Sequence, residues 1–283
     1  GLVAHVALSF VVWYLAVFGA LNTAMVPNGL RISSVNLSLV LDKIAISLSA
    51  IGTMAILIPA FRNQGEPTLN NYIPVIIDPI FYWGICLLAL GILISVIRVF
   101  VNLSVIIGDT SEELPLLISA GLLFVAAVIA TGLAALQLQG QPVNYDYNES
   151  LFWGAGHILQ LVNIALFLVA TSLLYRRAFK SSLAVRAYFT WTSAILVLLG
   201  LVGLSFFNFF NVGSSEHTLA FTRLQYVLGV PVLMILAAMA SGLWRQRINI
   251  TWHDPACLSL ISALVLFGIG SLLGLFVDGQ DTR

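Results

Sequence analysis

Residues 114–138 read LPLLISAGLLFVAAVIATGLAALQL, with no charged side chain and no sustained alternation of apolar and polar positions. At about 1.5 Å per residue, a helix of this length crosses the ~30 Å hydrocarbon core of a bilayer. A barrel strand is shorter and alternates, so the run is read as a membrane-spanning helix. Seven further runs share this character, at 2–25, 36–61, 74–102, 151–175, 182–208, 218–244 and 256–277. The links between them are short and carry helix breakers: Pro27-Asn28-Gly29, Gly65-Glu66-Pro67, Gly140-Gln141-Pro142 and Asp254-Pro255. No link is long enough to divide domains. The fold expected is all-α, a polytopic membrane helical bundle of about eight transmembrane helices, forming one domain over residues 1–283.

Composition agrees. The chain is 60% hydrophobic and 8% charged, with a mean hydropathy of +1.01, whereas soluble domains carry about 45–50% apolar and about 25% charged residues. Twelve Lys+Arg balance twelve Asp+Glu, so no basic surplus invites nucleic acid. The two cysteines, Cys86 and Cys257, lie in apolar runs in opposite leaflets and make neither a disulfide framework nor a thiolate cage. There is no phosphate-binding Gly-Lys-Ser/Thr loop and no zinc-binding His-Glu-x-x-His.

The cations set an orientation. Arg31, Arg98, Arg176, Arg177, Lys180, Arg186, Arg245 and Arg247 hold or adjoin the odd-numbered links, and the even-numbered links hold only Arg62. The positive-inside rule then puts the odd links inside and both chain ends outside. On that reading His5, His157 and Asn208 share one outer-leaflet layer. Residue counting puts His5 roughly 6 Å and His157 roughly 9 Å below the start of their spans.

An ionisable group within a span is a functional candidate, because hydrocarbon makes it costly without a partner. Neutral imidazole is also a usual protein ligand to haem iron and copper. His5 reads as such a ligand or as a side chain reaching the interface. His157, in Trp153-Gly154-Ala155-Gly156-His157, reads as a ligand beside a flat macrocycle or as a hydrogen-bonded group in a tight helix contact. His217, after Gly213-Ser214-Ser215-Glu216, is read as a wet loop or capping residue. His253 is read as interfacial polarity. Asp42-Lys43 reads as a surface ion pair, Arg223 as a snorkelling cation or a contact to a haem propionate, and Asn208 as an amide in an aromatic belt or a weak metal ligand.

Several runs resemble subunit I of the haem–copper oxidase superfamily, the catalytic subunit of cytochrome oxidases and nitric-oxide reductases, in its divergent bacterial members. Ala4-His5-Val6-Ala7-Leu8-Ser9-Phe10-Val11-Val12-Trp13 is similar to that family's second helix. Asn71-Tyr72-Ile73-Pro74-Val75 with Asp78-Pro79-Ile80-Phe81 resembles the start of its fourth. Trp153-Gly154-Ala155-Gly156-His157 resembles its sixth, and Val230-Pro231 its eighth. Asp278-Gly279-Gln280-Asp281-Thr282-Arg283 resembles the approach to its tenth. The resemblance covers helices two to nine of twelve, without the family's terminal helices.

The resemblance implies that His5 is an axial ligand of a low-spin haem and that His157 binds copper or non-haem iron at a second metal site beside a high-spin haem. Asn208 stands where the family completes that site, and Arg223 would meet a propionate. Two positions depart from the family pattern. Ser205-Phe206-Phe207-Asn208 replaces a pair of histidines, and no tyrosine follows His157 by one turn. The function expected is the core subunit, or a fragment, of a membrane respiratory reductase that passes electrons through haem to oxygen or nitric oxide. The alternative is an oxidase-like electron-transfer or assembly subunit without a working second-metal site, and then a cofactor-free transporter. The expected partners are membrane lipid, other respiratory subunits and an electron-donating cytochrome c or cupredoxin-type subunit. The expected location is a bacterial inner membrane.

Overall fold

The computed structural model describes residues 1–26, 37–103, 112–181 and 186–278. Among these, eight helices are long and apolar enough to cross a membrane. They are α1 (Leu2–Met25), α2 (Leu37–Arg62), α3 (Pro79–Val101), α4 (Leu114–Gln137), α5 (Tyr145–Phe179), α6 (Arg186–Ser205), α7 (Ser215–Arg245) and α8 (Pro255–Asp278). The chain is an all-α polytopic membrane bundle. Pro27-Asn28-Gly29, Arg31 and residues 279–283 lie outside the described residues.

The bundle's outward surface is apolar, with Phe10, Trp13, Met54, Trp83 and Leu266 all exposed. In water such a surface would cost roughly 25 cal/mol per Å², so lipid or a neighbouring helix is its solvent. Burial rises toward α4 and α5, where Leu117, Ala120, Leu123, Leu161, Ala165 and Leu168 are shut off. These two helices form the centre.

Capping fixes where the helices begin, and here the structure departs from the hydropathy reading. Residues 74–77 do not open α3. Val75–Ile77 (β2) pairs antiparallel with Glu66–Thr68 (β1), Thr68 opposite Val75 and Glu66 opposite Ile77. Apolar character alone cannot separate a short buried strand from a helix turn. Asp78 is the N-cap, accepting from the Ile80 N–H at 2.8 Å, and Pro79 supplies the first helical residue. Gly65 turns the chain into the hairpin with φ +78, where a Cβ would lie 2.8 Å from the Ile77 carbonyl.

Helix α5 outruns its apolar stretch at both ends. Asn144 caps it, accepting from the Tyr147 N–H at 2.9 Å. Asp146 and Glu149 lie in the first turns, and Arg176-Arg177 lie in the last, each sign facing the favourable end of the helix dipole. Arg245 and Asp254 flank the α7–α8 turn, and Asp254 accepts from the Ala256 N–H at 2.9 Å to start α8. The hairpin marks one face of the membrane domain, hereafter the hairpin face. Successive spans alternate between it and the opposite face.

Helices α2 and α3 pack backbone to backbone. A Cβ on Gly52 would lie 2.7 Å from the Gly84 carbonyl oxygen, one on Gly84 would lie 2.7 Å from the Ile56 N, and one on Gly91 would lie 2.7 Å from the Ala45 carbonyl. Only glycine permits this approach, which is the usual device for helix association in lipid. Helix α1 diverges from this pair, leaving a cleft of about 740 Å³ walled by residues such as Ala16, Gly19, Ala20 and Ala50.

At the opposite face this three-helix unit is locked by polar groups. The sequence expectation that Asp42 pairs with Lys43 does not hold. Asp42 lies 3.4 Å from the guanidinium of Arg98, which is 2% exposed, and also accepts from the Thr23 hydroxyl at 2.9 Å. Arg98 Nε donates to the carbonyl and hydroxyl of Ser38, both at 3.0 Å, and Asn22 donates to Ser95 at 3.0 Å. Neighbours in sequence point to different sides of a helix, so Lys43 cannot reach the face where Asp42 lies. Between α4 and α5 the fully buried Glu113 accepts from Ser172 at 2.7 Å and from Arg176 at 3.0 Å.

Candidate functional site around His157

The hairpin places Tyr72 against α5. Its loop is pinned to the start of α5 by Glu149, which accepts from the Asn70 side chain at 3.2 Å, the Asn71 N–H at 3.1 Å and the Asn71 side chain. Asn70 also donates to the Tyr145 carbonyl at 3.1 Å. Next in sequence, Tyr72 drops its ring onto α5 at Gly156, where any Cβ would overlap it. Gly154 receives Phe207 and Phe221 in the same way, its Cβ position being 2.7 Å and 3.0 Å from their rings. What the small residues of Trp153–His157 admit is therefore three aromatic rings.

His157 sits at the centre of that cluster, 3% exposed. Its ring centroid lies 4.8 Å from Tyr72, 5.0 Å from Trp153 and 5.2 Å from Phe221. Its Nδ1 is 2.9 Å from the Trp153 carbonyl and its Nε2 is 3.0 Å from the Tyr72 hydroxyl. A carbonyl can only accept, so Nδ1 carries the hydrogen, and the lone pair of Nε2 accepts from the Tyr72 O–H. Gln225 of α7 faces the same ring. The imidazole is neutral and held from three elements.

This environment does not fit a second metal. A metal would need the Nε2 lone pair that Tyr72 occupies. Among the described residues, no three His, Cys, Asp or Glu side chains converge as a ligand set. Asn208 ends a short 3₁₀ turn (Phe206–Asn208) and is exposed, while its neighbour Phe207 turns inward against Phe221. Arg223 is exposed on α7. Neither touches the His157 ring.

His5 stands apart from the aromatic cluster. It is exposed on the flank of α1, and its ring makes no hydrogen bond among the described residues. A π-helical segment, Leu8–Val12, begins three residues later, with Ser9 Oγ donating to the His5 carbonyl at 2.9 Å. Such segments re-aim the preceding turn relative to the rest of a helix. The Tyr14 hydroxyl donates to the Leu159 carbonyl at 3.2 Å, tying α1 to α5. His5 and His157 both lie in the hairpin-face half of the bundle.

Sequence reasoning missed Tyr72, Phe221, Gln225 and Glu149. The available signal was the polar triplet Asn70-Asn71-Tyr72 in a short link, opposite the Gly-Ala-Gly-His run of the next odd span. His217, expected as a wet loop or cap, is 1% exposed and packs on Phe207 and Phe221 at centroid distances of 5.1 Å and 5.0 Å. The cap is Ser214, which accepts from the His217 N–H at 3.2 Å. Cys86 and Cys257 are both free thiols.

Replacing Tyr72 by Phe keeps the ring and removes the donor. The buried Nε2 then loses its hydrogen bond, at an expected cost of about 1–3 kcal/mol. Thermal unfolding in detergent checks this, and a Tyr72→Phe midpoint equal to the parent's would show that the bond is not made.

Comparison with known proteins adds one relative. An uncharacterized protein of Aquifex aeolicus is 28% identical over 224 residues, covering 77% of this chain and 54% of the relative. The chain thus spans about half the length of the curated relative it matches. No family model and no solved structure matches it.

Proposed function

We propose that this chain is a membrane-embedded subunit of a respiratory electron-transfer complex, acting in electron transfer or assembly without a second-metal site. The observation that carries the reading is the closed environment of His157, whose two ring nitrogens are engaged by Tyr72 and the Trp153 carbonyl. His157 is then a structural imidazole that joins the hairpin, α5 and α7. The resemblance supplies the respiratory context, and His5 is the residue through which this chain would hold haem. A haem there would supply one-electron redox chemistry. The chain's own contribution is one imidazole and one apolar wall, the flank of α1, with neighbouring helices completing the pocket. Arg223 is free to meet an anionic group of such a neighbour. In a bacterial inner membrane, the hairpin face would look outward, toward a cytochrome c or cupredoxin-type donor.

The competing reading is a reductase in which oxygen or nitric oxide is reduced beside a metal on His157. It requires Tyr72 to leave Nε2. The two readings are separated by metal content in the complex purified from its native membrane. Haem iron without copper or non-haem iron, with the low-spin spectrum lost in His5→Ala, is the expected result. Copper or non-haem iron that disappears in His157→Gln would replace this reading with the reductase.

A further inference from the structure

We infer that the hairpin face carries a binding pocket for a phosphoethanolamine group, the headgroup of a zwitterionic phospholipid. The pocket, of about 290 Å³, lies between the first turns of α5 and α7, walled by Asp146, Glu149, Trp153, His217 and Thr218. Two of these side chains hold polar atoms left without a partner: the indole N–H of Trp153 and Nε2 of His217. His217 is 1% exposed. A buried polar atom without a partner costs about 1–3 kcal/mol, so two lining one pocket are a standing reason to bind something.

The chemistry of the walls selects the occupant. The α5 side offers carboxylates, Asp146 at the rim and Glu149 already oriented by Asn70 and Asn71. The donors are the indole N–H of Trp153, two turns further along α5, and on α7 the His217 imidazole and the Thr218 hydroxyl. Glu216, the acidic group nearest the start of α7, accepts from Ser215 and is not in the wall. A ligand must therefore present N–H donors to the carboxylates and acceptor oxygens to the indole and imidazole, a few ångströms apart. A primary ammonium next to a phosphate does both. A trimethylated ammonium has no N–H to give, and a glycerol headgroup has no cation. The first turns of two spanning helices also lie at the depth where headgroups sit.

The test uses the full chain in nanodiscs of equal parts phosphatidylethanolamine, phosphatidylcholine and phosphatidylglycerol, with retained lipid read by native mass spectrometry. Phosphatidylethanolamine is expected to be retained about tenfold over the others, the scale of one charge-assisted hydrogen bond. Asp146→Asn, at the rim, should remove most of that preference with the unfolding midpoint unchanged, and Trp153→Phe, which removes the indole N–H along with the fused ring, should remove it at some cost in the midpoint. Free O-phosphoethanolamine distinguishes the source: displacement of the lipid shows that the headgroup alone is recognised. Binding of the free compound without lipid enrichment assigns the site to a soluble ligand of the same chemistry. Equal retention of the three lipids with no binding of the free compound overturns the proposal. So does wild-type retention in both variants.

Discussion

Replacing Arg98 by Ala is expected to destabilise the bundle by about 3–5 kcal/mol, the usual cost of stripping one partner from a buried ion pair. The guanidinium is enclosed, and among the described residues the Thr23 hydroxyl is the donor to Asp42 that remains after the substitution. The Ser38 carbonyl at the start of α2 loses its side-chain donor at the same time. Arg98→Met with Asp42→Leu should recover most of the loss, since apolar replacement of a whole buried pair is often neutral or stabilising. Unfolding midpoints of the two single variants and the double variant in one detergent form the cycle. Additive losses, with no recovery in the double variant, would mean that the pair does not couple.

Gly52→Leu is expected to separate α2 from α3. Its Cβ alone would lie 2.7 Å from the Gly84 carbonyl, so the clash is with main chain that no rotamer change can move. Overpacking costs typically about 1–3 kcal/mol where side chains can yield, and a backbone clash belongs at or above the top of that range. Cysteines placed at Ser49 and Leu88 on the facing helices should crosslink in the parent and lose that crosslink in Gly52→Leu. Gly132→Leu, where a Cβ meets nothing within 4 Å, is the matched control and should crosslink as the parent does. Retained crosslinking in Gly52→Leu would contradict the packing.

The spans were legible because hydrocarbon imposes one rule along the whole chain, that about 20 consecutive residues must be apolar. The 114–138 run became Leu114–Gln137 almost unchanged. Boundaries drifted where a local cap overrode hydropathy, as Asp78 did at α3 and Asn144 at α5. Pairing was less legible. Asp42 and Lys43 are adjacent in sequence, yet the partner of Asp42 comes from α3, a contact that depends on how three helices rotate. The candidate site followed the same pattern. His157 stood out as an imidazole among small residues, but its surroundings come from a loop, α6–α7 aromatics and Gln225, none of which spacing along α5 can reveal. His5 was legible as a position. Its exposure on the flank of α1 depends on how that helix is rotated, which hydropathy does not register.

We propose that His157 is a structural imidazole and His5 the haem contact. The most direct test is the reduced-minus-oxidised spectrum of the intact complex, taken with iron and copper content, for the parent, His5→Ala and His157→Gln. His5→Ala is expected to abolish a low-spin haem signal, while His157→Gln should leave spectrum and metal content as in the parent and lower only the unfolding midpoint. A metal or a haem band lost specifically in His157→Gln would contradict it.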